Sequence, residues 1–278
     1  MIEVVALGIA TTVQDRGRVG WAHLGVGRSG AADVAAHDLA NRLVGNDPGA
    51  ATLETCGALR LRFEAAAVVA VTGAPADLAV EGGPPMGTAH AHALPLGATL
   101  SVAAPRRGLR CYVAVRGGID LPAVLGSRSR DTLGAIGPVV AAGDRLPVGP
   151  DPGSPIATDV APTRQPTELM VLPGPRLDWF DSWSPLLTQP YVVGADIDRI
   201  GVRLAGDEPL RRRVSAELPS EGLVAGAVQV PPDGQPIVVL ADHPVTGGYP
   251  VIAVVDDASM SAIAQARPGD TLHFRAAR

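Results

Sequence analysis

The chain has 278 residues and a formal net charge of −5, with charges of both signs scattered along it. This balance argues against a nucleic-acid-binding protein, which would present a basic face. Every basic side chain is arginine and none is lysine. The chain therefore cannot supply a Schiff-base lysine, the lysine of a phosphate-binding P-loop or a lysine that carries biotin.

The sequence carries no sign of secretion or membrane insertion. No basic segment followed by an apolar stretch stands at the N-terminus, and no apolar run is long enough to span a bilayer. The two cysteines, Cys56 and Cys111, suggest neither a disulfide framework nor a zinc site. We expect a cytoplasmic protein with no membrane partner and with reduced thiols.

Short strands dominate the first half of the chain. A helix is expected at Ala31–Val44, capped by Ser29 or Gly30 and closed by Gly45. In Leu59–Phe63 apolar residues alternate with arginines, as in a half-buried strand. More deeply buried strands are predicted from two apolar runs, Val68–Val71 and Arg110–Val115.

The stretch Pro147–Pro166 is rich in Pro, Gly, Ser, Thr and Asp, a composition typical of a linker. We expect a β-rich N-terminal domain at 1–150, a linker at 151–166 and a second β domain at 167–278. Both domains have ordinary sizes.

The second half of the chain repeats the pattern of short buried strands. The expected strands are Leu169–Leu172, Ile237–Leu240 and Val251–Val255. A short helix is expected within Arg176–Leu187, and another at Ala258–Arg267 with Asp257 as its N-cap. The fold class is therefore mainly β, with a few short helices.

Three segments share a Gly turn that leads into a strand: Leu96–Leu100, Ala142–Leu146 and Pro268–Leu272. A common turn chemistry and a true internal duplication both explain them.

Polar residues cluster at two Gly-rich loops of the N-terminal part. Thr11–Gly20 is too polar for a core strand, and it is either a solvated turn with an internal Asp–Arg pair or part of a site. Gly25–Asp33 leads into the first helix, where unpaired N–H groups favour an anion. Simple capping by Ser29 and Asp33 is the alternative.

Two later loops carry further candidates. Arg128 follows a Gly-rich turn and is a candidate clamp for a carboxylate or phosphate, or a surface arginine neutralised by Asp131. Asp242 follows a buried strand and could act as a base or as a hydrogen-bond acceptor. His90 and His92 alternate along one strand, but with no third ligand in view we expect an exposed polar edge and no metal site.

In ordered combination these segments resemble the signatures of a known family over nearly the whole chain, from Ile2 to Arg275. The matching segments are Thr11–Gly20, Ser29–Asp33, Ala40–Asn46, Leu53–Glu54, Val115–Pro122, Leu125–Ser129, Leu218–Gly222, Val228–Ile237 and Thr246–Pro250. The chain is identified as similar to the biotin-dependent carboxyltransferase group, or allophanate hydrolase subunit 2 family. That family includes the C-type subunits of 5-oxoprolinases, the carboxyltransferase part of urea carboxylase and an antagonist of the Kip sporulation-kinase inhibitor.

The resemblance implies two cyclophilin-like β-barrel domains and an ATP-dependent lactam hydrolase made of several subunits. The implied partners are a B-type subunit, which belongs to the allophanate hydrolase subunit 1 family, and a third subunit. ATP would act through the complex, and biotin would not be attached to this chain. Two other functions stay open: a urea or amide carboxyltransferase that uses biotin on another chain, and a regulatory binding protein that antagonises a kinase inhibitor.

We expect one site that combines N-terminal and C-terminal loops and takes a small amide. Its expected catalytic carboxylates are Asp15, Glu221 and Asp242. The expected substrate-binding residues are Arg18, Ser29, Asp33, Arg128, Ser220, Gln229, Thr246 and Tyr249. The chain departs from the family pattern at Ile197–Ile200 and at His243–Val245, which leaves the substrate open.

Overall fold

The computed structural model describes residues 1–157 and 167–277. It is mainly β with three short α-helices among these residues, which confirms the predicted fold class. The chain forms two compact units. Unit 1 comprises Met1–Val19, Ser29–Asp131 and the segment that begins at Ala135; unit 2 comprises Gly20–Arg28, Thr132–Gly134 and the C-terminal part of the chain.

Unit 1 is built from two sheets that share one core. The first sheet has the strand order β11-β1-β4-β9-β6-β7 and the second the order β2-β3-β10-β5-β8. Leu61 and Leu100 of the first sheet pack in one cluster with Leu53, Val71 and Val113 of the second. The strands are β1 (Ile2–Ala6), β2 (Thr12–Gln14), β3 (Thr52–Thr55), β4 (Leu59–Phe63), β5 (Ala67–Gly73), β6 (Leu78–Val80), β7 (Pro85–Met86), β8 (Ala91–Leu94), β9 (Thr99–Val102), β10 (Cys111–Val115) and β11 (Arg145–Leu146).

Helix α1 (Val34–Leu43) covers the second sheet, and its Ala36, Ala40 and Leu43 pack against Ala70 and Ala114. The predicted helix start at Ala31 was three residues too early. Asp33 is the N-cap, because its Oδ1 accepts a hydrogen bond from the Ala36 N–H at 3.0 Å. The predicted caps, Ser29 and Gly30, instead adopt positive φ angles of 54° and 96° before the helix.

Unit 2 is a closed seven-stranded barrel with the order β12-β19-β16-β17-β14-β13-β20, in which β12 and β20 pair in parallel and the other pairs are antiparallel. Its core includes Leu169, Val202, Val228, Ile252 and Phe274. A separate ribbon pairs β15 with β18. The strands are β12 (Glu168–Pro173), β13 (Tyr191–Ile197), β14 (Gly201–Gly206), β15 (Glu221–Gly222), β16 (Ala227–Gln229), β17 (Ile237–Val239), β18 (Thr246–Gly247), β19 (Val251–Val255) and β20 (Thr271–Ala276).

The predicted strands are all present. Leu59–Phe63 alternates between buried apolar residues and exposed arginines, as the period-two pattern required. The run at Val251–Val255 is a barrel strand with the predicted bounds. The resemblance implied β-barrel domains, and the closed barrel of unit 2 is one. The likeness to cyclophilin stays a prediction.

The helices of unit 2 are shorter than predicted. Within Arg176–Leu187 the chain makes a 3₁₀ turn at Leu177–Trp179 and then α2 (Ser184–Thr188), which takes Pro185 in its first turn where a proline is tolerated. The helix expected at Ala258–Arg267 is a 3₁₀ turn followed by α3 (Met260–Ala264). Its cap is Asp256 and not Asp257, since Asp256 Oδ1 accepts from the Ser259 N–H at 2.8 Å.

The first part of the predicted linker is bound to unit 1. Arg116 donates to Asp151 Oδ1 and to the Ser154 carbonyl, both at 2.8 Å, and the Ala157 N–H donates to the Leu43 carbonyl at 3.1 Å. Residues 158–166 of that linker lie outside the described residues, so the predicted division of the chain into domains stays a prediction.

Cys111 lies in β10 with its side chain in the core of unit 1 and its Sγ 3.3 Å from the Ala74 carbonyl oxygen. Both cysteines are thiols. Burial, with a smaller contribution from Cys56, raises the pKa of the Cys111 thiol to about 12. Cys111 is therefore a packing residue and a poor nucleophile.

The three Gly turns share one geometry. The N–H groups of Ala98, Asp144 and Asp270 each bond the carbonyl three residues earlier. The glycines before them, Gly97, Gly143 and Gly269, have φ angles of 79°, 91° and 88°. This is the pattern of a type II turn, which requires positive φ at its third residue.

Gly97→Ala should lower the free energy of unfolding by about 1 kcal/mol, because alanine is disfavoured at positive φ. Steric crowding does not contribute, since a Cβ at Gly97 would meet no atom within 4 Å. Chemical denaturation of the two proteins measures the difference.

Gly87→Ala is the matched control. Gly87 has equally open surroundings but does not share the positive φ. A loss for Gly87→Ala as large as that for Gly97→Ala would contradict the backbone explanation.

Candidate functional site

Asp15 follows strand β2 and is buried at the start of the first polar loop. Its Oδ1 accepts hydrogen bonds from Ser127 Oγ and Ser129 Oγ, both at 2.6 Å, and from the Gly17 N–H at 2.7 Å. Its Oδ2 accepts from the Arg128 N–H at 2.6 Å. Burial alone would raise the pKa of Asp15, but the hydrogen bonds outweigh it and the pKa is lowered. Asp15 is therefore an ionised anchor whose two oxygens are already in use.

The segment Ser127–Arg130 is held against β2 through this carboxylate. The Asp15 N–H donates to Ser129 Oγ at 2.9 Å, and the Arg130 N–H donates to the Val13 carbonyl at 2.9 Å. The N-terminal and middle signatures, which are more than 100 residues apart along the chain, thus form one polar structure in unit 1.

Arg18 lies beside this structure and is 2% exposed. Its Nη2 donates to the Ser129 carbonyl at 2.5 Å, while its Nε and Nη1 are buried and have no acceptor among the described residues. Gln14 is also buried. Its Nε2 donates to the Arg130 carbonyl and to Thr12 Oγ1, both at 2.9 Å, and its Oε1 receives no hydrogen bond from residues 1–157 or 167–277.

Ser29 and Asp33 lie on the same side of unit 1, in the approach to α1. Ser29 Oγ donates to the Arg130 carbonyl at 3.2 Å, which brings it to the Asp15 structure. Asp33 caps α1, and its N–H donates to the Tyr112 hydroxyl at 2.7 Å. Asp33 is therefore a helix cap, which was one of the two interpretations of this segment. A substrate-binding role for Ser29 or Asp33 stays a prediction.

Arg128 contributes its backbone N–H to Asp15 and uses its guanidinium elsewhere. Nε donates to the Leu121 carbonyl at 2.7 Å, and Nη2 bonds Asp120 Oδ1 at 2.5 Å. The expected neutralising partner was Asp131; the ion pair that forms is with Asp120. The clamp role of Arg128 stays a prediction, and it would require these contacts to rearrange.

A buried network that the sequence did not reveal supports the start of α1. Glu54 Oε2 accepts from the Tyr112 hydroxyl at 2.8 Å and from the Ala32 N–H at 3.0 Å, and Arg110 lies 3.4 Å from Glu54 Oε1. Burial, and the nearby charges of Glu54 and Asp33, place the pKa of Tyr112 well above its usual value, so this hydroxyl is a hydrogen-bond donor. Finding this contact from the sequence would have required the register of β3 and β10, which pairs Tyr112 with Glu54.

In unit 2, Asp242 is buried in an ion pair with Arg199. Arg199 Nε donates to Oδ2 at 2.9 Å and its Nη2 donates to Oδ1 at 3.0 Å. Thr132 adds its N–H at 2.9 Å and its hydroxyl at 2.7 Å. Asp242 was predicted from the sequence as a site residue and its partner Arg199 was not; Arg199 lies in the segment that departs from the family pattern.

Glu221 lies at the β15–β18 ribbon and pairs with Arg176, whose Nε is 2.9 Å from Glu221 Oε2. Glu221 is about one-third exposed, so solvent reaches this carboxylate, in contrast to Asp242. Thr246 is opposite Gly222 in the ribbon. The ribbon therefore holds two predicted site residues on paired strands, with Glu221 opposite Gly247 and Thr246 opposite Gly222.

Gln229 and Tyr249 meet at the backbone, where Gln229 Nε2 donates to the Tyr249 carbonyl at 3.3 Å. Tyr249 also lines a cavity of about 850 Å³ with Arg211, Arg212 and Asp233. Ser220 is exposed beside Glu221. The expected union of these residues with the Asp15 loop in one site stays a prediction.

Within residues 1–157 and 167–277 no group of three His, Cys, Asp or Glu side chains could hold a metal ion. The rings of His90 and His92 lie 4.9 Å apart at the edge strand β8. No helix among the same residues is long and apolar enough to cross a membrane.

The fold and the signature segments define the class of protein. Residues 24–276 match the family model described as carboxyltransferase domain, subdomain A and B. The chain belongs to this carboxyltransferase family, which confirms the resemblance inferred from its motifs.

Particular members are similar over nearly the full chain. The C subunit of Escherichia coli 5-oxoprolinase is 38% identical across 99% of this chain and 90% of that protein. A crystal structure of TTHA0988 superposes with a TM-score of 0.87 at 36% identity, covering 99% of this chain and 55% of that one. The Kluyveromyces lactis urea amidolyase structure gives a TM-score of 0.89 at 30% identity, where the match covers 98% of this chain and only 18% of that one.

Asp15→Asn should lower the free energy of unfolding by about 2 kcal/mol near neutral pH, because the charged acceptor of four hydrogen bonds is lost. The lowered pKa of Asp15 means that its stabilisation is complete above the ordinary aspartate pKa of about 4 and is lost as the pH falls through the folded-state value. The stability difference between the two proteins should therefore shrink on acidification. Denaturation curves between neutral pH and about pH 3 measure it.

Asp120→Asn is the control, since it removes a half-exposed carboxylate from the same part of unit 1. Such a pair contributes at most about 1 kcal/mol. A constant difference between wild type and Asp15→Asn at all pH values would contradict the ionised-anchor interpretation.

Proposed function

We propose that this chain is the C-type subunit of a multi-subunit, ATP-dependent 5-oxoprolinase. One observation carries the proposal: the similarity to the C subunit of E. coli 5-oxoprolinase extends over 99% of this chain and 90% of that protein. In the urea amidolyase structure the matching region is 18% of a much longer chain. The higher identity to that subunit, 38% against 30% for the urea amidolyase, favours a lactam hydrolase.

The partners in this proposal are a B-type subunit of the allophanate hydrolase subunit 1 family and a third subunit. The chain contains no lysine, so it has neither a P-loop lysine nor an attachment point for biotin. We therefore assign ATP to a site that the partners complete, and any biotin to another chain.

Opening 5-oxoproline breaks the lactam C–N bond, and water supplies the oxygen of the new carboxylate. A lactam is a stable amide, and bound ATP supplies the free energy that activates its carbonyl. The chain itself contributes preorganised polar groups, which hold the substrate without reorganising during the reaction. Arg18 is suited to this, because two of its buried nitrogens have no acceptor in the part of the chain that the structure describes.

The three predicted catalytic carboxylates differ in what they can do. Asp15 and Asp242 are buried and hold several donors each, so we assign them to positioning their loops. Glu221 is partly exposed and bound to one arginine. Of the three, Glu221 is the carboxylate best placed to accept a proton from water.

Carboxyl transfer to urea is a second candidate function, favoured by the TM-score of 0.89 to the K. lactis urea amidolyase. In that case a biotinylated partner would bring the carboxyl group to this chain. A biotinylated protein that copurifies with the chain and supports urea-dependent turnover would select this alternative.

The chain alone should show no 5-oxoproline-dependent ATP hydrolysis, and activity should appear when the proteins encoded by flanking genes are added. We expect the chain alone to be inactive because it lacks the lysine of a nucleotide-binding loop. Coupled assays of ADP and glutamate release measure both quantities in one experiment.

Two results would overturn the proposal. Enzyme-like turnover by the single chain would remove the need for partners. A stoichiometric complex that turns over neither 5-oxoproline nor urea would instead support the regulatory binding role.

Glu221→Gln should reduce kcat of the reconstituted complex by about 10²-fold or more, the usual effect of losing a general base. Its effect on the thermal midpoint should be small, because the ion pair with Arg176 is partly exposed. Glu168→Gln is the matched control, since Glu168 forms a more exposed pair with Arg275 in the same unit. Equal activity in the two variants would exclude Glu221 as the base.

A further inference from the structure

The segment Ala31–Asp33 enters α1 with each of its three backbone N–H groups bound. In chain order, the acceptors are the Asp15 carbonyl at 2.9 Å, Glu54 Oε2 at 3.0 Å and the Tyr112 hydroxyl at 2.7 Å. The sequence favoured an anion at this turn, because N–H groups and the helix dipole both attract negative charge. A carboxylate does lie there, and it belongs to Glu54 of the chain itself.

Glu54 is 1% exposed and is bound by three kinds of donor. Its Oε2 accepts from the Tyr112 hydroxyl at 2.8 Å and from the Ala32 N–H, and its Oε1 lies 3.4 Å from Arg110 Nε. Arg110 is itself 2% exposed. A hydroxyl, a backbone N–H and a guanidinium thus converge on one buried carboxylate, which is the donor set of an anion site.

The Tyr112 hydroxyl links this carboxylate to the cap of the helix. It donates to Glu54 and accepts from the N–H of Asp33, and the Asp33 carboxylate in turn accepts from the Ala36 N–H. Hydrogen bonds in such a chain polarise and strengthen one another inside a protein. Glu54 and Tyr112 therefore fix the chain where it enters α1.

The same segment packs on residues 15–17, directly before Arg18. The Ala31 N–H donates to the first carbonyl of that stretch at 2.9 Å. A Cβ at Gly30 would lie only 2.8 Å from its backbone, so the two stretches of chain touch. The position of Glu54 therefore bears on the backbone that carries Arg18, to which the proposed function assigns substrate binding.

We infer that Glu54 is an internal anion that fills the site at the start of α1, and that Glu54 and Tyr112 are positioning residues for the loop that carries Arg18. The N–H groups of Ala32 and Asp33 are thereby closed to the carboxylate or phosphate of a ligand. The part of this inference that concerns the reaction rests on the proposed function, whereas the anion site does not.

Acetate tests the anion site, because Glu54→Ala removes a CH₂–COO⁻ group and acetate has that size and charge. Saturating acetate should raise the thermal midpoint of Glu54→Ala by about 5 °C or more, since it binds the folded state only. The midpoint of wild type should not respond. Acetamide, which has the same shape without the charge, and sodium chloride at equal ionic strength are the controls, and neither should reproduce the rise.

Glu54→Gln is the second variant. It keeps the volume of the side chain, so it leaves no room for acetate and its midpoint should not respond. If Glu54→Ala is unfolded in plain buffer, because it leaves Arg110 without this carboxylate, its circular-dichroism signal should recover on refolding in acetate and not in acetamide. Equal responses of Glu54→Ala to acetate and acetamide would overturn the internal anion.

Tyr112→Phe tests the positioning role in the reconstituted complex. It removes the donor to Glu54 and the acceptor of the Asp33 N–H but keeps the ring. We expect KM for 5-oxoproline to rise at least about tenfold with a smaller change in kcat, because the loop of Arg18 loses its fixed position. A purely structural role would lower the amount of folded protein and leave KM unchanged.

Tyr191→Phe is the matched control. Tyr191 is also fully buried, and its hydroxyl accepts from Gln189 Nε2 at 3.0 Å in unit 2. The variant should lose stability and keep the KM of wild type. Equal KM values for Tyr112→Phe and Tyr191→Phe would exclude the positioning role.

Amide hydrogen exchange measures the positioning without activity. The Gly17 N–H donates to Asp15 Oδ1 in the wild-type chain. Its exchange should be at least about tenfold faster in Tyr112→Phe than in Tyr191→Phe, because only the first change loosens the contact with residues 15–17. Equal exchange in the two variants would also contradict the positioning role.

The outcomes separate this inference from the proposed function. If the acetate and exchange results are as expected but the complex hydrolyses no lactam, the internal anion stands and the function fails. If the complex hydrolyses 5-oxoproline with a KM that Tyr112→Phe does not change, the function stands and the positioning role fails.

Discussion

The Asp15 carboxylate is the interaction on which the polar part of unit 1 depends. It accepts four hydrogen bonds, three of them from a segment more than 100 residues away in the chain. Because charge-assisted hydrogen bonds to a buried carboxylate are short and strong, they hold two loops in one arrangement. The Ser129 and Arg130 carbonyls are positioned by this contact, and they in turn anchor Arg18 and Gln14.

Two glycines allow the chain to close around this anchor. A Cβ at Gly30 would lie 2.8 Å from the Arg16 carbonyl carbon, and one at Gly137 would lie 2.2 Å from the Ser129 carbonyl oxygen. Both positions also have positive φ. Glycine at these two positions thus reflects close backbone approach as well as turn formation.

Much of the fold could be predicted from the sequence, because period-two alternation and short apolar runs are local signals of strands. The strand at Leu59–Phe63 and the barrel strand at Val251–Val255 are examples. The helix start was missed because Ala31 and Ala32, which precede Asp33, fit a helix equally well, and only the hydrogen bond to Ala36 identifies the cap.

The site was predicted less completely. The polar loops and the family resemblance predicted Asp15, Arg18 and Asp242 as site residues. They did not indicate that both carboxylates already accept hydrogen bonds from the protein itself. The partners Ser127, Ser129 and Arg199 come from distant parts of the sequence, and the pairing of Glu54 with Tyr112 depends on strand register. Such contacts follow from tertiary structure and leave no local signal.

The absence of lysine from the chain has a consequence for its buried polar contacts. A buried lysine can release its proton and become neutral, whereas arginine stays charged at every physiological pH. The pair of Arg199 with Asp242 and the hydrogen bond from Arg18 to the Ser129 carbonyl are both made by guanidinium groups. These donors therefore persist across the physiological pH range, and the loops that they hold keep the same contacts when the acidity of the surroundings changes.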